Sequence, residues 1–564
     1  MQKTISTSIL LLCLLAFHFI GRSQVAYEHI QNKAIYEFLD ELASQHIIEL
    51  NSAIKPYSRT FICEQLLIAE KQQKSLNRRQ QKELASYQKE YAIENAANFK
   101  KSKHNIFSKS SSFSSSFNPI SINNCDSNFR ATLRPIFGRT YSSRDDKEYR
   151  YHNRVGASFI GYIGKNLSIY GSLRDNYQKN DIFAKPSYLT LYEGGSYKTN
   201  EGGRIGADYS EMRGGIVYSW KWGHIGIVKD HIEWGDNYHG SNILSGRTPS
   251  YASIKLNLKP AKWFELNYIH GWLVSMVPDS SRSYITSNGD PRVIYQDKYI
   301  AANMFTIRPF RDFEFSFGNS IIYSDKSIQA AYLIPVMFYK SIDHTLTRGV
   351  ENENSQMFCN ISSRNIKNIH LYTSIFIDEY SFTRIGGPYN TNMISYKGGV
   401  KTSNFLLKNI SLTCEYTQTM PITFKHRVPS TTFESNLFNL GHYLIDNSEE
   451  LFLNLSFKPT SNITISASYT HINKGNDYQY ITSNFPILNK VIYLKDVIWK
   501  KQALEFNIYY RIINNMAFTL GVSKSIIEAK AADGYSADYY MNKYVSPFER
   551  GNHLILTSGF NIGI

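Results

Sequence analysis

The residues best suited to chemistry in this 564-residue chain crowd into one stretch, where His224, His231 and His239 lie near Glu233 and Asp236. Imidazoles and carboxylates are zinc ligands, but these intervals match no familiar site, so polar lining or loop is the simpler account. Asp208, Glu211, Glu233 and Asp236 offer carboxyl pairs of the kind that cut glycosides, a reaction defined by a spatial separation that sequence intervals do not reveal. His270 and Ser275 supply a Ser/His pair only in the sense that any large barrel contains one, since such sites are defined by geometry. No GxxxxGK pattern followed by Ser or Thr is present. The glycines of Glu193-Gly194-Gly195 and Glu201-Gly202-Gly203 lack the strand-to-helix setting of a dinucleotide loop and read as hairpin turns or barrel bends. No catalytic residue, metal, cofactor or nucleic-acid partner is expected.

The elements that must hold these residues fall into two kinds. Met1–Ser23 has a cationic start at Lys3, an apolar run from Ile9 to Ile20 and a polar break at Gly21-Arg22-Ser23, which is the pattern of a secretory signal peptide. Cys13 belongs to that apolar run. From Tyr27 to about Lys103 the apolar period is helical, with Ile35, Leu39, Leu42, His46 and Leu50 along one face. Pro56 ends the first helix. A second is expected over Phe61–Lys74, and a third from Asn77, with Gln80 placed for a capping box. A serine-rich stretch around Phe107, Phe113 and Phe117 follows and reads as a linker or first loop.

After Asp126 the period changes to two. Leu167, Ile169 and Leu173 alternate with Ser168, Tyr170, Ser172 and Arg174, and the same holds over Phe264–His270, Leu451–Phe457, Ile463–Tyr469 and Leu504–Tyr510. Such strands suit a soluble propeller or sandwich, or a membrane barrel with lipid outside and water within. Residues 126–564 accommodate roughly 16–20 tilted strands. The 41 Tyr, 33 Phe and 6 Trp favour the barrel, because aromatic rings form girdles at both membrane interfaces. Trp263 and Trp272 fit such a girdle or the strand wall. The C-terminus alternates Phe560, Ile562 and Ile564 with Asn561 and Gly563, and so resembles the closing strand recognised by the barrel assembly machinery, although the usual terminal aromatic is replaced by Ile564. The expected division is signal peptide 1–23, helical bundle 24–104, linker or first loop 105–125 and barrel 126–564.

Charge and cysteines narrow the partners. The chain carries a net +15, yet residues 24–104 hold 12 basic and 10 acidic residues, so most of the excess lies in the β region. A basic wall or loop surface attracts acidic glycans, and the same charge on outward loops holds the phosphates of lipopolysaccharide. Cys63, Cys125, Cys359 and Cys414 show neither zinc nor CxxC spacing. Cys359 and Cys414 are able to pair only if their strands are neighbours.

The run Trp234-Gly235-Asp236-Asn237-Tyr238-His239-Gly240-Ser241-Asn242-Ile243-Leu244-Ser245-Gly246-Arg247-Thr248-Pro249-Ser250 is followed by Lys259-Pro260-Ala261-Lys262-Trp263-Phe264-Glu265 and His270-Gly271. Together with Tyr332-Leu333-Ile334-Pro335, Phe338-Tyr339, Phe376-Ile377-Asp378-Glu379-Tyr380, Gly441-His442, Phe38-Leu39-Asp40-Glu41-Leu42 and Asn77-Arg78-Arg79-Gln80-Gln81, this resembles the Wzi-type capsule assembly proteins in the form found in Bacteroidetes. The resemblance covers most of the mature chain in short segments and carries no catalytic signature. It implies an outer-membrane barrel of about eighteen strands, closed towards the periplasm by the N-terminal helices and constricted outside by loops. It also implies a non-enzymatic, lectin-like role in binding capsular or other surface polysaccharide.

Aromatic faces and fixed polar groups suit sugars, and Arg suits acidic ones. Trp234, Tyr238, His239 and Arg247 are the candidate glycan contacts, set against a purely architectural role for the loop that holds them. An uptake porin and an accessory subunit of a secretion or motility machine are the competing functions.

Overall fold

A computed structural model describes residues 24–95, 113–126, 128–199, 206–346, 353–382, 385, 392–405, 407–478 and 491–563. The signal-peptide expectation, Cys13, the start of the serine-rich stretch, Glu201-Gly202-Gly203 and Ile564 lie outside the described residues.

Eighteen antiparallel strands form one closed barrel. They are β1 Phe129–Arg144, β2 Tyr149–Ile163, β3 Leu167–Lys179, β4 Gly206–Trp220, β5 Gly223–Asp230, β6 Tyr251–Ala261, β7 Phe264–Leu273, β8 Lys298–Ile307 and β9 Phe313–Ser324. The circuit continues through β10 Asn354–Ser363, β11 Ile369–Glu379, β12 Met393–Ser403, β13 Ile410–Thr419, β14 Ser448–Phe457, β15 Ile463–Gly475, β16 Val497–Ile513, β17 Met516–Ala529 and β18 Asn552–Ile562. β18 closes on β1 through Ile555↔Arg144 to Ile562↔Phe137.

The period-two pattern sorts each strand between two media. On β1 Leu133, Phe137 and Tyr141 face outward and are exposed, whereas Thr132, Arg134 and Ile136 face the lumen and are buried. On β17 Leu520 and Val522 face outward. An apolar outer belt on a closed sheet leaves no backbone group unpaired in hydrocarbon, which is how strands cross a membrane. No helix among the described residues is long and apolar enough to do so. The chain is therefore a barrel of the outer-membrane type, mainly β, with helices before it.

Connections alternate in length. At one end 221–222, 262–263 and 514–515 are tight turns; at the other 231–250, 274–297, 325–353 and 420–447 are long. In outer-membrane barrels the short turns face the periplasm. Trp222 and Trp263 sit exposed in two of these turns, as interface-girdle residues do.

The N-terminal helices are α1 Lys33–Ser44, α2 Arg59–Lys71 and α3 Arg78–Glu90. They share a core of Ile35, Phe38, Leu39, Leu42, Ile62, Leu66, Leu84 and Tyr87. The expected capping box is present at α3: Gln80 N–H donates to Asn77 Oδ1 and Asn77 N–H to Gln80 Oε1, both at 3.0 Å. α1 ends earlier than its apolar period suggests. His46 adopts a left-handed φ of 61°, and the N–H groups of His46 and Ile47 return to the carbonyls of Ala43 and Leu42, which closes the helix before Leu50.

This bundle is seated in the short-turn mouth. Asn368 N–H donates to Ser44 O at 2.6 Å, Asn514 Nδ2 to Ser86 O at 2.7 Å, and Gln24 Nε2 to Leu167 O at 2.9 Å.

Two expectations are corrected. Phe113–Phe117 and Ile120–Cys125 are paired strands, not linker, and the second adds to β1 through Ile122↔Leu133. Their serines and phenylalanines alternate across the sheet, with Ser114 and Ser121 buried and Phe113, Phe117 and Ile122 exposed. Gly194 belongs to no hairpin turn: it lies in the long β3–β4 connection, where its N–H donates to Arg247 O at 2.8 Å and a Cβ would collide with Phe438. Cys359 on β10 and Cys414 on β13 are separated by two strands and are free.

Candidate functional site

The conspicuous loop of the sequence folds into the lumen. Beyond β5, Glu233–Trp234 pairs with Ile54–Lys55 of the helical region on one side and with Leu244–Ser245 on the other. Lys55 Nζ meets Glu233 Oε1 at 2.6 Å. Trp234 has no exposed surface and packs with Ile54, Ile243 and Phe358. Gly235, at φ 95°, makes the turn that follows, a conformation that strains any residue with a Cβ.

Next to this small sheet lies a buried ionic network that joins bundle, loop and wall. Asp40 of α1 accepts from Arg364 at 2.7 Å, from Lys401 of β12 at 2.9 Å and from the Tyr238 hydroxyl at 2.7 Å. His370 of β11 lies 2.8 Å from the same hydroxyl. Burial alone would raise the Asp40 pKa, but Lys401 and Arg364 hold it well below the usual carboxylate range. Burial and the Asp40 charge raise the Tyr238 phenol well above its ordinary value, so it remains a donor.

His239 continues the chain of contacts. Its Nδ1 meets Glu450 of β14, and its ring stacks on Phe452 at 3.9 Å between centroids. Glu415 of β13 accepts from the Tyr238 N–H at 2.8 Å and is paired with Lys397. Arg247 is enclosed beside Phe438 and donates to Tyr188 O at 2.6 Å, whereas its Nε and Nη1 have no partner among the described residues. Burial lowers its pKa to about 10.

The four candidate residues thus occur in one enclosed region, with the Tyr238 hydroxyl and His239 Nδ1 engaged and Trp234 sealed in apolar packing. The other sequence candidates separate. His224 meets the Tyr27 hydroxyl at 2.7 Å, and Asp236 accepts from Asn360 at 2.7 Å. Asp208 is an exposed residue of β4, while Glu211 turns into the lumen towards His231. His270 faces the outside of β7 and meets Tyr323 at 2.7 Å, away from Ser275.

Two groups among the described residues have metal-ligand character: Asp145, Asp146 and His553, which is largely exposed, and the enclosed His29, Glu193 and His231, with Glu211 near. His231 Nδ1 is turned to the carbonyls of Gly246 and Thr248, and its Nε2 lies 3.2 Å from Glu193 and 3.3 Å from Glu211. Burial would lower the His231 pKa, but the two carboxylates push it up to about 10. Arg174 also donates to Glu193 at 2.8 Å, so an imidazolium and a guanidinium already balance the two acids. Sequence reading named His231 and Glu211 but not His29 or Glu193 as their partners, and it missed Asp40, Arg364, Lys401 and Glu415. For Lys401 and Glu415 the available signal was charge at lumen-facing strand positions.

Along β15, β17, β18 and β1 the inner wall is different. Thr464, Ser466, Ser468, Thr519, Ser523, Ser525, Thr557 and Thr140 point inward and are only partly covered. Near the short-turn mouth this side holds a cavity of about 100 Å³ lined by Arg59, Glu90, Arg134, Arg213, Asn515 and Asn561. A barrel filled on one side and lined by small hydroxyl side chains on the other suits hydrated polar matter better than an apolar ligand.

No family model matches the chain, and no curated protein matches it. Among solved structures the fold is similar to Wzi of Escherichia coli, described as an outer-membrane protein involved in group 1 capsule assembly and as a carbohydrate-binding β-barrel. The match has 11% identity and a TM-score of 0.55, over 96% of this chain and 100% of that one. Pseudomonas aeruginosa OpdQ and vanillate-bound OpdK are more distant, each with 8% identity and a TM-score of 0.41 over 77% of this chain.

Proposed function

We propose that this chain is a non-enzymatic outer-membrane protein of Wzi type that binds capsular or another surface polysaccharide and assists its attachment during capsule assembly. The observation that carries this reading is the construction of the lumen. Helices fill its short-turn mouth, the 231–250 loop packs inside it against the wall from β10 to β14, and the network around Asp40 ties the two to that wall. Such an arrangement favours holding a polymer at the surface over passing solutes. The similarity to Wzi spans the helices as well as the barrel, which supports the same reading.

In this account Trp234, Tyr238 and His239 seat the loop that closes the lumen. Arg247, with donor groups to spare, is the member of the set suited to an acidic sugar. The outer membrane with its lipopolysaccharide, and the barrel assembly machinery during biogenesis, are the further partners. A long polymer multiplies weak contacts by repetition, so modest individual contacts suffice for retention.

The partly uncovered hydroxyl-lined wall favours a second reading, an uptake channel. Planar-bilayer conductance of the purified protein separates the two: absence of a stable open state supports attachment, and steady solute-dependent conductance supports the channel.

A further inference from the structure

The connection between β9 and β10 folds down the outside of the wall. Register shows this directly. Tyr268 of β7, Asn303 of β8, Asn319 of β9 and Met357 of β10 are successive cross-strand partners and therefore share one face. Their sequence neighbours Ile269, Met304 and Phe358 pack in the lumen with Trp234, so this shared face is the outer one. One pair nearer the short turns on the same face are Phe305 and Phe317, stacked at 5.4 Å in the apolar belt.

Asn303 and Asn319 thus point outward one pair from the stacked Phe305 and Phe317, on a belt where hydrocarbon would offer no hydrogen bonds. Yet Asn303 is fully buried and Asn319 nearly so, as are Tyr268, His270 and Tyr323. Residues 330–339 cover them. Asn303 Nδ2 donates to Pro335 O at 3.0 Å and to Met337 O at 2.9 Å, while the Tyr339 N–H donates to Asn319 Oδ1 at 2.9 Å. The Tyr268 hydroxyl donates to Tyr332 O at 2.9 Å, and the Tyr332 and Tyr323 rings pack at 4.8 Å. Irregular backbone in hydrocarbon requires partners for its polar groups, and here outward-facing strand side chains provide them.

The far side of the segment is apolar. Leu333, Ile334, Val336, Met337 and Phe338 are 37–60% exposed. The helix Tyr339–Leu346 that follows returns to polar exposure with Lys340, Ser341 and Thr345, as a segment climbing back to the headgroups would.

We propose that residues 333–338 are a lipid-contacting finger, a long-loop segment that re-enters the apolar belt on the barrel's outer wall and takes the acyl chains of outer-leaflet lipid as its partner. Its apolar surface is continuous with the lipid-facing wall around Phe305, Phe317 and Met357, which fixes the occupant as hydrocarbon. The inference rests on the barrel's membrane setting and not on glycan binding, so it stands or falls independently of the proposed function.

The test is depth-dependent quenching in phosphatidylcholine vesicles. Val336→Cys, in a background with the native cysteines replaced, carries an environment-sensitive fluorophore, and Ile285→Cys on the exposed 284–292 hairpin is the aqueous control. Nitroxides attached along phospholipid chains are expected to quench the Val336 site several-fold more than the control, and aqueous iodide several-fold less. Iodide quenching equal to the control overturns the proposal. So does shielding from both quenchers, which would indicate a protein partner, with a dimer by mass identifying a second copy. Asn303→Ala is expected to move the Val336 signal towards iodide while the barrel's heat-modifiable gel mobility is unchanged; continued lipid quenching in that variant overturns the role of the asparagine seat.

Discussion

Arg364 and Asp40 show how single residues close this barrel. Each is nearly buried, and each has partners from a different part of the chain, since Arg364 also meets Ser52 at 2.8 Å. Removing one member of such a pair leaves a buried charge short of compensation. Arg364→Ala is expected to destabilise the seating of the bundle by about 3 kcal/mol, measured as a lower denaturant midpoint for loss of hydrogen-exchange protection over 33–90.

His231 gives a pH-dependent counterpart. Its folded pKa of about 10 lies above its unfolded value of roughly 6.5. Its contribution is therefore complete below about pH 6.5 and is lost as pH rises towards 10. Hydrogen exchange over 231–250 should accelerate across that window, and His231→Gln should flatten the dependence. These residues were poorly legible beforehand because a buried charge acquires meaning only from the element packed against it. Asp40 lies 324 positions before Arg364.

At the scale of elements, local chemistry was readable where the sequence itself supplies both partners. Asn77 and Gln80 form the capping box expected from their spacing, and Asn77→Ala is expected to cost α3 about 1 kcal/mol. Thermal unfolding monitored by exchange over 78–90 measures it. The end of α1 was not legible, because a left-handed His46 replaces the usual glycine. Nor was the 113–125 hairpin, where serine composition masked an alternation that faces lumen on one side and the membrane interface on the other. The Ala331–Tyr339 run is apolar but too short and Pro-broken to cross a bilayer; only the sheet register places it outside the wall.

For the whole molecule, the change of period after the helices and the aromatic excess carried the architecture, and the eighteen-strand circuit agrees with both. Those signals are collective, repeated over many strands, and so survive error at any one of them. The use of the lumen is not collective. It depends on where one loop and three helices come to rest, and here they meet on one side while a hydroxyl-lined wall stays partly uncovered.

The central claim is that this closed barrel retains a surface polysaccharide. It is tested most directly by titrating the detergent-solubilised protein with polysaccharide extracted from its own cells and recording bilayer conductance on the same preparation. The account predicts saturable binding, weakened at least several-fold by Arg247→Ala, with no stable open channel. Steady conductance without glycan binding would contradict it.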